Sequence, residues 1–399
     1  MAAMWSPIIG LLLLLQLAPS SSSYIQLPLQ GSVHPVGYFY VTMNIGGKPY
    51  SLDIDTGSNL TWLECNYPGH QCNPCKGPHL PYVPNITHKK VMCGDQFCTD
   101  LHKDLPYYPE RGCDIHHPHE CHYHIQYVGG TSSDGFIVND TVSVNVLSPS
   151  HPSRRVQIFF GFGCGCNQKP HKDSPVDGVL GLGMGKEGFV AQLKARNVIR
   201  KDIIGHCLSI DGGGYLFVGE HGMPSGITWV PMRKYSHYYT PGPAQLLLGG
   251  EKIGSQKMAV FDSGTTYTYI PDQVYSELVR EVKRSVSGSL QRVADHALPV
   301  CWKGPFQSIQ LVKRKFKPLA LEFTNKVMHI PPENYLALTG EKNVCLGILQ
   351  TPKAGGQMII IGDVTMQDLL VIYDNEQKLV GWISKQCKHT LEIPSIHAL

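Results

Sequence analysis

The chain has 399 residues, of which 16% are charged, and it carries a formal net charge of +3 at neutral pH. This length predicts two or three domains, and the 41 glycines and 29 prolines, together with the few charges, favour an all-β protein with many turns. The small net charge, without a basic stripe that carries interleaved aromatic residues, excludes nucleic acid as an expected partner.

The N-terminal segment is typical of a secretory signal peptide. Residues 8–17 form an apolar run that small residues follow, and this run is too short to span a bilayer. We therefore predict a signal peptide over residues 1–23 and a short leader over residues 24–36. The rest of the chain offers no segment that predicts a membrane anchor.

Thirteen cysteines in a chain that enters the secretory pathway indicate a disulfide framework. Seven of them lie between Cys65 and Cys121, so the first half should be the more heavily cross-linked. Because thirteen is odd, at least one cysteine is free or pairs with another chain. Cys164 and Cys166 are too close in sequence to form a routine pair, and we expect one of them to be the unpaired residue. A zinc site at the Cys-Asn-Pro-Cys segment 72–75 is the rival interpretation, but no second such pair supports it, and we predict no metal.

Three Asn-x-Thr sequons are candidates for N-linked glycans. A modified sequon needs an exposed, flexible loop, and we predict glycans on Asn85 and Asn139. Asn59 lies next to a candidate catalytic turn, so we expect it to be unmodified.

An internal repeat identifies the candidate catalytic residues. The segment LDIDTGSNLTWL at residues 52–63 aligns with AVFDSGTTYTYI at residues 259–270. In this alignment Asp55 matches Asp262, and a hydroxyl residue and a glycine follow each of them. Apolar residues flank both aspartates at matching positions, which makes a chance match improbable. The repeat therefore predicts two equivalent catalytic turns.

A second repeated element supports the first. The apolar-apolar-Gly runs GVLGLG at residues 178–183 and IIIGDV at residues 359–364 each lie downstream of one triplet. This order predicts two lobes of similar construction. We assign an N-terminal lobe to residues 37–225, a C-terminal lobe to residues 226–390 and a tail to residues 391–399.

Two facing Asp-hydroxyl-Gly turns have a specific chemistry. Gly57 and Gly264 let the backbone bend and bring main-chain N–H groups to each carboxylate. We expect Ser58 and Thr265 to hydrogen-bond the outer carboxylate oxygens. Two carboxylates a few ångströms apart cannot both ionise, so one stays protonated and the other acts as a base on a bound water. This chemistry predicts amide hydrolysis under acidic conditions, without a cofactor or a covalent intermediate.

These motifs resemble those of the pepsin-like aspartic proteases, in particular the nepenthesin and nucellin-like branch of plants. The similarity extends from about Gly37 to Cys387, and in it Asp55 and Asp262 match the catalytic aspartates. The resemblance implies an all-β, bilobal fold of two β-barrel-like lobes with a central cleft. An extended polypeptide substrate would bind there through its main chain, with bulky apolar residues beside the cut bond. We expect a monomer, delivered outside the cell to the apoplast or to the vacuole.

The resemblance also assigns a flap, a β-hairpin that closes over the substrate. Tyr127 in QYVGGTSSDG matches the flap tyrosine. Trp62, seven residues after Asp55, matches the tryptophan that supports this tyrosine. Val128 stands where the family usually has glycine, and we expect it to stiffen the flap or to change which side chains fit beneath it.

The same resemblance carries two departures from the family pattern. Twelve of the cysteines match those of the branch, which leaves Cys166 as the candidate free thiol and implies a bridge between Cys301 and Cys345. The family usually has a long prosegment, whereas residues 24–36 are too few for one. We therefore expect synthesis in an open form, or restraint by something other than a long propeptide.

Two other features have more than one interpretation. Asp53 lies two residues before Asp55, on the same side of the predicted strand, and we interpret it as structural. The stretch HHPHECHYH at residues 116–124 places His122 and His124 on one strand face. It is interpreted as an exposed loop, with a pH-responsive surface and a metal site as the alternatives.

The sequence therefore predicts a secreted, acid-active aspartic endopeptidase. The alternative is a catalytically silent pepsin-fold binding or inhibitor protein. Such proteins tend to lose an aspartate or its glycine, and both triplets are intact here, which favours the enzyme.

Overall fold

The computed structural model describes residues 23–74, 77–84, 90–104, 119–149, 151–169, 174–234 and 236–387. Residues 1–22 of the predicted signal peptide, the sequon at Asn85 and the predicted tail lie outside these residues. The described chain consists mainly of strands, so the all-β prediction is confirmed. In this part of the chain no helix has both the length and the apolar character needed to cross a membrane.

Some strands of the first half alternate buried with less buried residues, as in β2, where Phe39, Val41, Met43 and Ile45 are buried. The elements of this half are β1 (Tyr24–Ser32), β2 (Tyr38–Ile45), β3 (Lys48–Asp55), β4 (Trp62–Glu64), α1 (Gln96–Asp104), β5 (His122–Gln126), β6 (Ser132–Ser148), β7 (His151–Lys169), β8 (Gly178–Gly181), α2 (Phe189–Ala195), β9 (Ile203–Leu208) and β10 (Gly214–Gly219).

The second half has shorter strands and one long amphipathic helix. Its elements are β11 (Thr228–Pro231), β12 (Gly242–Leu248), β13 (Glu251–Phe261), β14 (Thr268–Ile270), α3 (Asp272–Ser285), β15 (Arg292–Val293), β16 (Cys301–Trp302), β17 (Leu319–Phe323), β18 (Lys326–Ile330), β19 (Leu336–Leu338), β20 (Val344–Leu346), β21 (Ile348–Gln350), β22 (Ile359–Ile361), α4 (Asp363–Met366), β23 (Leu369–Asp374) and β24 (Leu379–Ser384). The apolar spacing of residues 272–286 correctly predicts α3, which buries Val274, Leu278, Val279 and Val282.

The strands form three sheets of 13, seven and four strands. The largest sheet contains β1 to β10 together with β11, β23 and β24, so the end of the chain returns to the sheet of the first half. In each half the strand that leads into a triplet pairs in parallel with the strand of the apolar-apolar-Gly run: β3 with β8, and β13 with β22. The two sequence repeats thus correspond to one repeated structural unit, and this unit positions both aspartates.

The segment predicted to be a leader is a strand. Residues 24–32 form β1, which pairs with β10, β2 and β6. The expectation that the first strand begins near Gly37 is therefore wrong. Ile25 and Leu29 are buried in the main core, and such burial is a tertiary contact that a nine-residue segment with a central proline does not reveal.

The disulfides correct one cysteine assignment. Cys166 is bonded to Cys72, with a Cα–Cα distance of 4.6 Å, so the prediction of a free thiol at Cys166 is wrong. Cys164 and Cys166 point to the same side of β7, and the segment after β4 runs beside them, so each sulfur reaches a different partner there. The described bridges are Cys65–Cys164, Cys72–Cys166, Cys98–Cys121, Cys207–Cys387 and Cys301–Cys345.

These bridges test the predicted cysteine pair and the zinc interpretation. The predicted pair of Cys301 and Cys345 is confirmed, and these residues lie directly opposite each other on β16 and β20. The bond to Cys72 uses a sulfur that the zinc interpretation of residues 72–75 requires. Cys93 is also disulfide-bonded, and Cys75 lies outside the described residues.

One predicted glycosylation site is not in a loop. Asn139 lies within β6, half-buried and directly opposite Gly161 of β7. The expectation of an exposed, flexible segment is wrong for this sequon, and its modification stays a prediction.

We predict that non-reducing peptide mapping of the folded protein will recover a fragment in which Cys72 is linked to Cys166. In Cys166→Ala, thiol labelling should detect one more reactive cysteine than in the wild type. The loss of this cross-link should lower the free energy of unfolding by about 2–4 kcal/mol. Cys207→Ala, which breaks a bridge far along the chain, is the control for labelling specificity. Recovery of an unlinked Cys166 from the native protein would contradict the assignment.

Candidate active site

The first triplet forms a tight turn at the end of β3. Gly57 donates its main-chain N–H to Oδ1 of Asp55 at 2.8 Å, and the Ser58 hydroxyl donates to Oδ2 of the same carboxylate. Asp55 is 5% exposed. Both oxygens of this carboxyl group therefore have a donor from their own turn, as the sequence predicts.

The second triplet repeats this arrangement after β13. Gly264 donates its N–H to Oδ1 of Asp262 at 3.0 Å, and Oγ1 of Thr265 donates to Oδ2 at 2.8 Å. Each predicted partner thus lies at the corresponding position in its own half. The two carboxyl groups are chemically almost equivalent.

The hydroxyl residues of the triplets lock the two turns together. The Thr56 N–H donates to Oγ of Ser263 at 3.1 Å, and the Ser263 N–H donates to Oγ1 of Thr56 at 3.0 Å. The hydroxyl of Ser263 then donates to the Ile54 carbonyl at 2.8 Å, and that of Thr56 to the Phe261 carbonyl at 3.3 Å. Both hydroxyl residues are buried. These reciprocal bonds fix the separation of the aspartates from both sides.

The glycines of the triplets lie against the opposite carboxyl groups. A Cβ atom on Gly57 would lie 2.6 Å from Oδ1 of Asp262, and one on Gly264 would lie 2.4 Å from Oδ1 of Asp55. Any other residue would therefore push the turns apart. Glycine is required here for close approach, and the two carboxyl groups lie next to each other as a result.

This proximity controls the protonation of the pair. Burial raises the pKa of Asp55, and the charge of Asp262 raises it further, beyond what the hydrogen bonds of its turn offset. Burial also raises the pKa of Asp262. The two groups titrate as a unit, and the pair holds one proton between them over an interval of pH. One group is then a base while the other is an acid.

Two further buried carboxyl groups lie near this pair. Asp53 is 6% exposed and Asp363 is 1% exposed, and Oδ1 of each has no hydrogen-bond partner among the described residues. Burial raises the pKa of both well above the usual range, and the charges of Asp55 and Asp262 add to this effect. Asp363 directly follows the glycine of IIIGDV, where the first repeat has Leu182, and this difference between the repeats is the signal that could have identified it from the sequence.

The predicted flap tyrosine and its support are in contact. Tyr127 begins the turn between β5 and β6, where its N–H donates to the Thr131 carbonyl at 2.8 Å. Nε1 of Trp62 donates to the Tyr127 hydroxyl at 2.7 Å. Burial raises the pKa of Tyr127, and the nearby charge of Asp55 raises it further, so the phenol stays neutral. The flap thus places a neutral hydroxyl close to the first aspartate.

Val128 lies at the tip of the flap and not beneath it. Its side chain is 38% exposed, and a Cβ atom on Gly355 would lie 2.9 Å from its Cγ1. Residues 353–355 belong to the second half of the chain, so the flap spans the cleft in this structure. The valine contacts the opposite wall rather than the space below the flap.

The histidines that lead into the flap share one partner. Nε2 of His122 and Nδ1 of His124 each lie 3.3 Å from a different oxygen of Asp134 on β6. The expected common strand face is confirmed. Burial alone would raise the pKa of Asp134, but the two histidines lower it below the usual range. Residues 116–118 lie outside the described residues, and the pH-responsive surface stays a prediction.

We predict that the free protein unfolds more easily at pH 7 than at pH 4. The folded-state pKa values of Asp53, Asp55, Asp262 and Asp363 exceed those of the unfolded chain. The folded state therefore binds more protons above the unfolded pKa, and the free energy of unfolding falls as pH rises through the folded pKa. Asp55→Asn combined with Asp262→Asn should reduce this fall by on the order of 1–3 kcal/mol.

Urea unfolding followed by tryptophan fluorescence at several pH values measures this effect. Asp134→Asn is the matched control, because the pKa of that carboxyl group is lowered and its contribution has the opposite pH dependence. An identical pH dependence in the wild type and the double variant would contradict the prediction.

Known sequences and structures resemble this chain along most of its length. The profile described as "Xylanase inhibitor N-terminal" matches residues 39–220, and the profile described as "Xylanase inhibitor C-terminal" matches residues 245–384. An aspartic proteinase of rice (Oryza sativa subsp. indica) is 42% identical over an alignment that covers 97% of each chain. Aspartic proteinase nepenthesin-2 of Nepenthes gracilis is 22% identical, with 92% of this chain and 81% of its own length covered.

Solved structures share the fold at low sequence identity. Conglutin gamma from lupine seeds matches with a TM-score of 0.69 and 17% identity, covering 91% of this chain and 95% of its own. The aspartic proteinase from Irpex lacteus matches with a TM-score of 0.64 and 16% identity, covering 91% of this chain and 98% of its own. These two likenesses support a pepsin-like, bilobal architecture and do not address activity.

Proposed function

The chain belongs to the pepsin-like aspartic proteinases of plants and is an aspartic-type endopeptidase, and we propose that Asp55 and Asp262 are its catalytic pair. The observation that carries this assignment is the close approach of two carboxyl groups, one buried and one partly buried, that have matching hydrogen-bond partners. The contact leaves one carboxyl group neutral and one ionised, which is the state that hydrolysis by an activated water requires.

The reaction follows from this shared proton. A water held between the carboxyl groups gives a proton to the ionised one, and its oxygen attacks the carbonyl carbon of the peptide bond. The neutral carboxyl group donates its proton to the carbonyl oxygen, which yields a tetrahedral diol. Collapse of the diol breaks the C–N bond: the amine leaves with a proton from one carboxyl group, and the other recovers a proton from a diol hydroxyl. The original protonation state is thereby restored.

The flap completes the site. The neutral hydroxyl of Tyr127, held by Trp62, lies near Asp55, and the hairpin spans the cleft. An extended polypeptide between the flap and the carboxyl pair is shielded from bulk water, which strengthens each electrostatic interaction with the reacting bond. The position of the tyrosine hydroxyl thus supports a role in substrate binding.

We also propose the pH range, the compartment, the glycosylation and the oligomeric state of the enzyme. An acid optimum follows because activity requires one ionised and one neutral carboxyl group, and a rise in pH removes the shared proton. The disulfide bonds favour an oxidising compartment and agree with secretion to the apoplast or delivery to the vacuole. Glycans on Asn85 and Asn139 and a monomeric state belong to the same proposal.

A catalytically silent binding or inhibitor protein is the alternative function. The matching profiles carry the description of xylanase inhibitors, and a lupine seed globulin shares the fold. Both triplets of this chain are intact and in contact, and this favours the protease.

We predict that the wild-type protein cleaves an unfolded protein substrate at about pH 4 and that Asp55→Asn abolishes cleavage. The substitution keeps the size of the side chain but removes the titratable group, so kcat should fall by at least about 1,000-fold, as for other essential acid–base groups. Asp272→Asn, at the exposed start of α3, should retain full activity.

The activity measurement also separates the two functions. Circular dichroism spectra of the variants should match that of the wild type, which shows that any loss is chemical. A folded wild-type protein that binds a peptide with a tetrahedral diol mimic and never cuts would support the silent binding protein.

We also predict that Trp62→Phe lowers kcat/KM about tenfold. Phenylalanine keeps an aromatic ring but removes the donor that Nε1 of Trp62 provides to the Tyr127 hydroxyl, and the loss of one such hydrogen bond costs about 0.5–1.5 kcal/mol. Tyr127→Phe removes the other partner of this bond. The double variant should therefore lose less than the sum of the two single losses. Strict additivity would show that the hydrogen bond has no role in catalysis.

A further inference from the structure

We propose that Asp53 is a specificity-determining residue, and that its carboxyl group selects substrates with a lysine or arginine side chain beside the cut bond. This inference rests on the proposed catalytic roles of Asp55 and Asp262. It replaces the interpretation of Asp53 as a structural residue and departs from the apolar preference that the family resemblance implies.

Strand register places Asp53 on the same sheet face as the flap support. In the parallel pair of β3 and β8, Asp53 lies opposite Val179, and in the antiparallel pair of β8 and β4 Val179 lies opposite Trp62. Directly opposed residues point to the same face of a sheet. Val179 and Tyr127 both pack against the apolar cluster that contains Trp62. Asp53 is two residues, about 6.5 Å, along the strand from Asp55, and it therefore lies beside this apolar cluster, close to the carboxyl pair.

The hydrogen bonding of Asp53 is unlike that of a structural buried aspartate. Asp177 is 2% exposed, and its carboxylate accepts N–H groups from Ser51 at 2.7 Å and from His79 at 2.9 Å. Asp140 is 2% exposed and accepts the Tyr82 hydroxyl at 2.6 Å. By contrast, Oδ1 of Asp53 is buried without a hydrogen-bond partner in the part of the chain that the structure describes, although the carboxyl group has a main-chain hydrogen bond with Ile54. An unpaired buried carboxyl oxygen is costly, which favours a role that a bound partner completes.

The strand of the second half that corresponds to β3 has an apolar residue at the position equivalent to Asp53. Val260 occupies the equivalent position, two residues before Asp262, and it is 4% exposed in the corresponding parallel strand pair. An apolar residue therefore satisfies the packing requirement of this position. The aspartate is a feature of one wall of the cleft alone, and its presence there calls for a functional explanation.

The side chains around Asp53 identify the substrate group that would bind beside it. Val179 and the ring of Trp62 provide an apolar wall, and Asp53 provides one carboxyl group on the same face. Lysine and arginine match this pattern, because they combine an apolar stem with a cationic end. Further carboxyl groups nearby add negative potential, and Asp53 interacts electrostatically with Tyr38, Asp55, Tyr127, Asp262 and Asp363.

This environment makes the selectivity depend on pH. Burial raises the pKa of Asp53, and the charges of Asp55 and Asp262 raise it further, so the free enzyme carries a neutral Asp53 in acid. A bound cationic side chain favours the ionised form and lowers that pKa. The preference for a cationic side chain should therefore increase as pH rises within the active range. The nearby phenols stay neutral there, because the pKa values of Tyr38 and Tyr127 are also raised.

The test uses pairs of peptides that differ only in having lysine or uncharged norleucine beside the cut bond. Lysine is placed on one side of the bond in the first pair and on the other side in the second. For one of these pairs, the wild-type ratio of kcat/KM for lysine over norleucine should be about tenfold or more, the size expected for a close charge pair. This ratio should rise between about pH 3 and pH 5. A ratio of one or less for both pairs at every pH overturns the proposal.

Two variants and one control locate the effect. Asp53→Asn should lower the lysine-to-norleucine ratio about tenfold and remove its pH dependence. Asp53→Val, which copies the residue of the second half, should make norleucine the better substrate. Asp363→Asn neutralises a different buried carboxyl group near the pair and should lower the ratio much less than Asp53→Asn does. An equal loss in Asp363→Asn would assign the preference to the general negative potential and overturn the role of Asp53.

The outcomes also distinguish this inference from the proposed function. A wild-type protein that cuts the norleucine peptide but shows no lysine preference contradicts only the role of Asp53. A wild-type protein that cuts none of the peptides contradicts both. If neither Asp53 variant folds, the wild-type ratio and its pH dependence decide the question.

Discussion

The structure depends on holding two acidic groups close together. When both are ionised, the carboxylates of Asp55 and Asp262 repel each other strongly and would push their turns apart if those turns were free to move. Four hydrogen bonds that involve the hydroxyls of Thr56 and Ser263 prevent this separation, and glycines at 57 and 264 leave the space that close approach needs. The two carboxyl groups share one proton because the hydrogen bonds between the turns fix the distance between them.

The remainder of the fold supports this constraint. The parallel pairs β3–β8 and β13–β22 present both triplets at the ends of buried strands, and the return of β23 and β24 to the first sheet ties the two halves together. The disulfide between Cys207 and Cys387 adds a covalent link across 180 residues in the same region. Because burial raises the pKa values of several carboxyl groups in this site, the folded state binds protons more readily than the unfolded chain does.

The two lobes share a construction but differ at selected positions. Asp53 in the first half corresponds to Val260 in the second, and Asp363 in the second half corresponds to Leu182 in the first. The flap also belongs to one half only. The repeat builds two nearly equivalent Asp-hydroxyl-Gly turns, and the residues around these turns differ between the two halves of the chain.

The sequence by itself determined what depends on short, local patterns. The duplicated triplet identified both aspartates, the apolar spacing identified α3, and the resemblance identified Tyr127, Trp62 and the bridge of Cys301 with Cys345. These features are carried by residues whose spacing is fixed along the chain or whose motif is highly specific.

Only the tertiary structure decided which distant segments lie side by side. It paired Cys166 with Cys72, made a strand of residues 24–32, put Val128 against the opposite wall of the cleft, and left the carboxyl group of Asp53 without a full set of partners. Each of these outcomes depends on a contact between residues far apart in sequence. The physical reason is that burial and pairing are properties of neighbours in space, and a single sequence records only neighbours along the chain.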